Sequence, residues 1–384
     1  MDIPTLIGIF TGALAVFIPA MAGLFQYRQS IQQRQDNNFR SEIEKLTSNN
    51  QEERLAAATN LGTFIIKGNR FYNEAIDILI NRTSVELDYN VMGAMVASLR
   101  RVEKSEFRTI VQKLLDIDRN FFIRRYPLKK WRDQADKDLQ QVENNFKQIE
   151  ELNTKTPMEV YNTMLQNFKK EMGNKWEVFL QREKDFQELG MHTQAITDFI
   201  SSFLCIVSKK VAITGLEFNQ NSLNNAVMES ANLHKCIIKA SAFSASQIKA
   251  TQITETSIFN TVFTFSGLSG SAFRNCPITS SLFDQTNLSS VNFQGSEFHD
   301  VFFVGSDLLG ANFRGTKGLK VEYFYKARNL DRAIFDKAFA KELQQKLPTI
   351  DEKAFSQSVN ASSLTNQRVD ALFLTLKELK DKGL

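Results

Sequence analysis

The chain has 384 residues and a net charge of +4, from 47 Lys and Arg against 43 Asp and Glu. That length allows two or three domains, and the charge is too mild to imply nucleic acid. Its three Cys (Cys205, Cys236, Cys276) and three His (His192, His234, His299) are scattered, which excludes zinc-site spacings and a disulfide framework.

Ile3 to Phe25, "IPTLIGIFTGALAVFIPAMAGLF", runs 23 residues without a charge. As a helix it is long enough to cross a bilayer core of ~30 Å. The rival reading is a cleaved leader with "AMA" (Ala20 to Ala22) at the cleavage site. Against it, no Lys or Arg precedes the apolar run, and the run is too long for a leader. A transmembrane helix over 1–27 is therefore expected. Asp2 precedes it, whereas Arg28, Arg34, Arg40 and Lys45 follow. The positive-inside rule then leaves the N-terminus outside and the rest in the cytoplasm of a bacterial inner membrane, crossed once. Gly8 and Gly12 form a small-xxx-small pair through which two such helices could pack into a homo-oligomer.

A juxtamembrane helix is expected over 28–51, ending at the "TSNNQ" break. Over 52–125, short amphipathic helices follow one another: Leu55, Ala58, Leu61 and Ile65 on one face, then Ala75, Ile76, Leu79 and Ile80, then Val91, Met95 and Leu99, then Ile110, Val111, Leu114 and Leu115. The stretches "ERLAAATNLG" and "DYNVMGAMVASLRRV" resemble HEAT or armadillo helical repeats, which implies a protein-binding groove. A plain helical bundle reads equally well.

A second helical region is expected over 126–210. It opens in "RNFFIRRYPLKKWRDQADK", where Arg124, Arg125, Lys129 and Lys130 lie among aromatics. Beside an anchor, these four are candidates for contact with anionic headgroups. A solvated helix face with the aromatics in the core is the plainer reading. Binding of single-stranded nucleic acid is the weakest, because no nucleic-acid motif accompanies the segment. Ile196, Phe199, Ile200, Phe203, Leu204 and Val207 make an apolar run too short for a second span, so a buried helix is expected.

From residue 218 to residue 313, every fifth position is Phe, Leu, Ile or Met. The residue two places earlier is small in nearly every case, from Ala226 and Ala231 through Cys236 and Ser241 to Ala311. Period five fits neither a helix nor a strand. The units "ANLHK", "TNLSS", "VNFQG", "SDLLG" and "ANFRG" resemble pentapeptide repeats. That resemblance implies a right-handed quadrilateral β-helix over 211–340, one pentapeptide per side and four per coil. It also implies a capping helix in "GTKGLKVEYFYKARNLDRAIF".

Residues 20 apart then stack. One side carries Leu223, Phe243, Phe263, Phe283 and Phe303, and the opposite side Leu233, Ile253, Phe273, Phe293 and Phe313. Outward positions are mostly polar. One outward column runs Ser222, Ala242, Val262, Leu282, Phe302, with Phe259 and Phe265 nearby. Such a stripe is a candidate contact surface for an unknown protein partner or for the chain's own C-terminal helical tail (341–384), where Val369, Leu372, Leu376 and Leu379 share a helical face.

The expected fold class is thus α + β multidomain: N-terminal transmembrane helix, all-α middle, quadrilateral β-helix and helical tail. Phosphate loops, nucleophile elbows and metal clusters are missing from the sequence, so an enzyme is not expected, nor is a cofactor. A membrane-anchored scaffold is the leading function. Alternatives are an oligomerising effector that perturbs the bilayer and a DNA mimic that inhibits a topoisomerase. Mimicry needs a strongly negative rod. Residues 214–316 carry seven acids against five Lys and Arg, a net of −2, so nucleic-acid chemistry is not expected.

Overall fold

The computed structural model describes residues 3–152, 178, 181–204 and 212–365, with side chains undescribed at 3–20, 22, 23, 122, 126, 130, 133 and 135–152. The chain divides into two compact units, Met1–Leu79 with Asp88–Arg101, and Ile80–Leu87 with Val102–Leu384.

In the first unit, α1 (Ile3–Leu46) is continuous through the expected junction at residue 27. The break after it follows from α2 (Gln51–Leu61), whose N-cap Asn50 accepts the Glu52 N–H. Ala57, Ala58 and Leu61 of α2 are buried, whereas Leu55 is exposed. Ala58, Leu61 and Ile65 are thus buried as the spacing suggested, with Ala57 in place of Leu55. The small residues of α2 admit α4 (Tyr89–Leu99), and Ser98 Oγ donates to the Ala58 carbonyl at 2.8 Å. A Cβ at Gly62 would sit 2.4 Å from that Oγ, so glycine is required there. Phe39 of α1 stacks on Phe71 at 4.2 Å and meets Phe64 edge-on. Among the described residues, no helix is long and apolar enough to cross a membrane. Gly8 and Gly12 lie within α1, but their surroundings fall outside the described residues.

α3 (Tyr72–Arg82) buries Ala75, Ile76, Leu79 and Ile80. In the second unit, α5 (Phe107–Leu152) runs unbroken across residues 125 and 126, where a change of region was expected, and holds Pro127 inside it. Residues 181–204 form α6, which buries Ile196, Phe199, Ile200, Phe203 and Leu204. Phe203 meets Phe107 of α5 edge-on at 6.1 Å.

The five-residue spacing produces a four-sided β-solenoid. Two sides are parallel sheets. One is β1 (Ile213–Thr214), β3 (Asn232–His234), β5 (Gln252–Thr254) and β7 (Ala272–Arg274). The other is β2 (Glu217–Asn219), β4 (Ile237–Lys239), β6 (Ser257–Phe259), β8 (Pro277–Leu282) and β9 (Glu297–Phe302). The remaining sides are chains of single bridges, Ser222–Ala242–Val262–Leu282 and Val227–Gln247–Gly267–Asn287–Asp307. All of these pairings step by 20 residues.

Every fifth-position centre from Phe218 to Phe313 is at most 2% exposed. The Phe residues stack within each ladder, Phe243 on Phe263 at 5.2 Å and Phe273 on Phe293 at 5.3 Å. Edge contacts such as Phe263 to Phe273 at 6.1 Å join the ladders across the axis. Rings stacked by the coil repeat and edge-on across it use both favourable aromatic geometries at once.

Two regularities go beyond size. The small inward residue is often Ser or Thr, and its hydroxyl serves two coils. Thr251 Oγ1 donates to the Met228 carbonyl at 2.6 Å, while Ser271 Oγ accepts the Thr251 N–H at 3.0 Å. Backbone groups turned inward by the corners are thereby satisfied. Cys236 and Cys276 occupy the same kind of position as free buried thiols. Burial raises the Cys276 thiol to about 11, and it donates to the Ile253 carbonyl at 3.3 Å. The second regularity is a left-handed backbone conformation two residues after nearly every centre, at Gln220, Asn225, Ser230 and onward, with Gly taking the place at 270, 295, 305, 310 and 315.

Candidate interaction surface

The solenoid's first coil would leave strand edges unpaired, a template for association with another chain. Helix α5 closes that edge with side chains. Gln112 pairs both ways with Glu217, donating to its carbonyl at 3.1 Å and accepting its N–H at 3.0 Å, as a strand would. Arg108 donates twice to the Gly215 carbonyl. Asp118 Oδ2 accepts from Asn221 Nδ2 at 2.8 Å and from the Ser222 N–H at 3.0 Å. Asp118 is fully buried and its Oδ1 has no hydrogen-bond partner. Burial raises its carboxyl to about 6, against the lowering effect of those two donors. These residues were not singled out from the sequence, because nothing local links a helix to an edge more than a hundred residues away.

The last coil is closed differently. A 3-10 turn over Val321–Phe324 interrupts it, and the register lengthens from 20 to 21 at Asp307–Arg328 and 22 at Asn312–Ile334. Phe324 and Phe335 extend the two ladders, stacking on Phe303 at 5.3 Å and Phe313 at 5.0 Å. Phe339 of α7 (Lys337–Lys346) packs on both.

The outward apolar column divides. Leu282 and Phe302 are 0% exposed. Phe302 meets Tyr323 at 5.3 Å and Phe355 of α8 (Glu352–Asn360) at 5.8 Å. The covering element is thus α8, earlier in the chain than the tail stretch "NQRVDALFLTLKELKDKGL" that contains Val369, Leu372, Leu376 and Leu379. Residues 366–384 lie outside the described residues. Beyond α8, the Ser363 N–H donates to Asp300 Oδ2 at 2.7 Å, and the Ser363 and Ser280 hydroxyls share a hydrogen bond of 2.6 Å. Burial opposes ionisation of Asp300, but Ser363, His299 and Lys320 outweigh it and hold the carboxyl below its ordinary value. Asp284, on the same side of the solenoid as Leu282, is buried with Oδ1 unpartnered, and burial raises its carboxyl well above the ordinary range.

One coil nearer the N-terminus the surface opens. Val262 is half-buried, Phe259 is 46% exposed and Phe265 is 51% exposed. Phe265 has φ of 59°, the one aromatic among the left-handed corners of the described solenoid. A bulky side chain in that conformation costs roughly 1–3 kcal/mol.

The basic segment of α5 is divided as well. Arg124 and Lys129 are exposed, and the Lys130 side chain lies outside the described residues. Arg125 instead lies over the Phe186 ring at 4.3 Å. Burial, then neighbouring Arg132, lowers its pKa. Arg125 therefore serves α5–α6 packing, which withdraws it from the headgroup set. Among the described residues, no group of three His, Cys, Asp or Glu could hold a metal ion.

Residues 279–317 match the family model for pentapeptide repeats, with eight copies. The match includes no part of 52–125, and the HEAT-like resemblance there gains no support. Comparison with curated proteins finds no match. Among solved structures, the chain is similar to HetL, a pentapeptide repeat protein involved in heterocyst differentiation regulation from the cyanobacterium Nostoc sp. strain PCC 7120. That likeness has 12% identity over 26% of this chain and 52% of HetL, with a TM-score of 0.19; the chain thus spans about half of HetL. A pentapeptide repeat protein from the Arabidopsis thaliana thylakoid lumen is 19% identical over 32% of this chain and 81% of that one, TM-score 0.21. QnrB1, a plasmid-mediated fluoroquinolone resistance protein, is 10% identical over 36% of this chain and 92% of its own, TM-score 0.19. No enzymatic family is indicated by these matches. With the matched repeats continuing the coil that begins at Ile213, this part of the chain is a pentapeptide-repeat β-solenoid.

Proposed function

We propose that the protein is a membrane-anchored interaction scaffold of the bacterial inner membrane, crossing it once and holding its helical region and solenoid on the cytoplasmic side. The observation that carries this reading is the 23-residue uncharged stretch Ile3–Phe25, followed in one chain by a solenoid sealed at both ends. Sealed edges leave the outward side chains as the means of contact, and exposed aromatics are effective anchors in protein interfaces. Val262, Phe259 and Phe265 are the contact surface in this reading, with Arg124 and Lys129 turned to anionic headgroups. Clustering through Gly8 and Gly12 would place several solenoids side by side.

The test is fractionation of the full chain and of a chain lacking residues 1–27. The full chain is expected in membranes and resistant to alkaline extraction, and the shortened chain in the soluble fraction. Release of the full chain by alkali would overturn the anchor. A cysteine-accessibility assay that labels the solenoid from outside the cell would overturn the orientation.

A further inference from the structure

We infer that a cavity between α5 and α6 binds an α-amino acid with a large apolar side chain. The cavity measures about 650 Å³ among the described residues, inside the range of small-molecule sites. It lies wholly within the second unit. Phe121, Arg124 and Leu128 line it from α5, and Asp185, Glu188 and His192 from α6. The two helices run antiparallel, because contacts move back along α6 as they advance along α5. Phe107 meets Phe203, Phe121 stacks on His192, Arg125 lies over Phe186, and Arg132 pairs with Glu183 at 3.4 Å. In that register Arg124 and Glu188 stand at about the same level on facing helices.

The lining selects the ligand. Asp185 and Glu188 share one face of α6, and two acids together suit an ammonium group. The Gln181 amide holds Asp185 Oδ1 at 2.7 Å. Arg124 is the cation of the lining, and a guanidinium takes a carboxylate through two parallel hydrogen bonds. The described ion pairs of these helices are Arg119–Asp116 and Arg132–Glu183, which use neither Arg124 nor the two cavity acids. Because Arg124 and Glu188 share a level, the ligand's ammonium and carboxylate must lie close together, as they do on one α-carbon. Leu128, Leu189 and Val85 form an apolar wall for its side chain. His192 supplies an independent sign of a ligand. Its Nδ1 is buried without a hydrogen-bond partner, while its ring is held on Phe121 at 5.6 Å with the planes 2° apart. Buried polar atoms ordinarily have a partner, and a ligand ammonium or carboxylate provides one in either tautomer. Pro127, in the same wall, has no N–H to give the Ile123 carbonyl, which adds an acceptor on α5. The inference goes beyond the scaffold reading and holds with or without a membrane anchor. Arg124 then has a second anion to hold besides a headgroup phosphate.

The experiment is isothermal titration of the detergent-purified full chain with three probes. They are L-phenylalanine, phenethylamine, which lacks the carboxylate, and hydrocinnamate, which lacks the amine. L-Phenylalanine is expected to bind saturably, and each analogue about tenfold more weakly or worse, since each loses a charge-assisted contact. Absence of saturable binding by L-phenylalanine would overturn the inference, and so would an equal affinity for either analogue. Two variants tie binding to the cavity. Arg124→Gln is expected to bring L-phenylalanine down to the affinity of phenethylamine, and Glu188→Gln to bring it towards that of hydrocinnamate. Both side chains are exposed, so an unchanged thermal midpoint is expected and shows that the fold is intact. Full affinity in both variants would place the bound amino acid elsewhere and overturn the assignment.

Discussion

The two ends of the solenoid solve one problem by different chemistry. At the first coil, side chains of α5 imitate a missing strand: Gln112 pairs with Glu217, and Asp118 accepts from Asn221 and Ser222. At the last coil, the backbone continues the ladder itself, the Arg328 N–H donating to Ser306 and the Ile334 N–H to Ala311, while Phe324, Phe335 and Phe339 close the core. The first end depends on directional bonds and one buried carboxyl. The second depends on apolar burial, which is non-directional and independent of pH. The ends should therefore respond to different perturbations.

The largest effect is expected at the aromatic end. Phe324 is fully buried between Phe303, Phe313, Phe335 and Phe339. Phe324→Ala should cost about 3–5 kcal/mol in chemical denaturation. A loss below about 1 kcal/mol would show that the cap contributes little to the solenoid.

Next comes a pH dependence assigned to the polar end. Asp118 is raised from an ordinary 3.8 to about 6, so its ionised form is penalised by roughly 3 kcal/mol at ~1.4 kcal/mol per tenfold in proton affinity. The folded state binds the proton more tightly than the unfolded one. Stability from this group is therefore full below pH 3.8 and falls as pH rises to about 6. Asp300 works in the opposite sense, because its lowered carboxyl loses its contribution as pH falls through the folded value. Comparing Asp118→Asn with the parent across this window should remove the decline and leave the acid-side loss from Asp300. An unchanged decline would place its source elsewhere, with raised Asp284 the next group to examine.

Gln112→Ala should cost roughly 1–3 kcal/mol, because it leaves the Glu217 N–H and carbonyl without their partner. Hydrogen exchange should quicken first at residues 213–222 and last near Phe313. Equal quickening at both ends would mean that the solenoid opens as one unit.

The smallest effect concerns a corner between the ends. Phe265→Asn should stabilise the chain by about 1 kcal/mol, since Asn tolerates the left-handed conformation better. A neutral or negative result would mean that contacts of the Phe265 ring offset its backbone strain.

Much of the solenoid is legible in the sequence. Twenty centres in unbroken register imply a repeating coil, and sorting them by twenty separates the two Phe ladders. The hydroxyl relay of Thr251 and Ser271 was hidden, because size alone does not distinguish a Ser that bonds two coils from an Ala that bonds none. The Asp118 contacts were hidden for another reason: they join residues 103 and 104 positions apart on elements of different kind. Phe302 shows the same limit. Its outward position followed from the register, but its burial depends on Phe355, whose placement no local pattern encodes.

What the sequence by itself determined is the periodic part: which residues face inward, how coils stack, and where an uncharged stretch precedes the first basic residues. Periodicity is a local property, repeated until it becomes unambiguous. Tertiary structure decided which helix closes which edge, which outward residues are already occupied, and that Phe259 and Phe265 remain uncovered among the described contacts. Those outcomes arise from single contacts between distant segments. Each is fixed by packing and hydrogen-bond satisfaction in three dimensions, for which one chain offers no repeated signal.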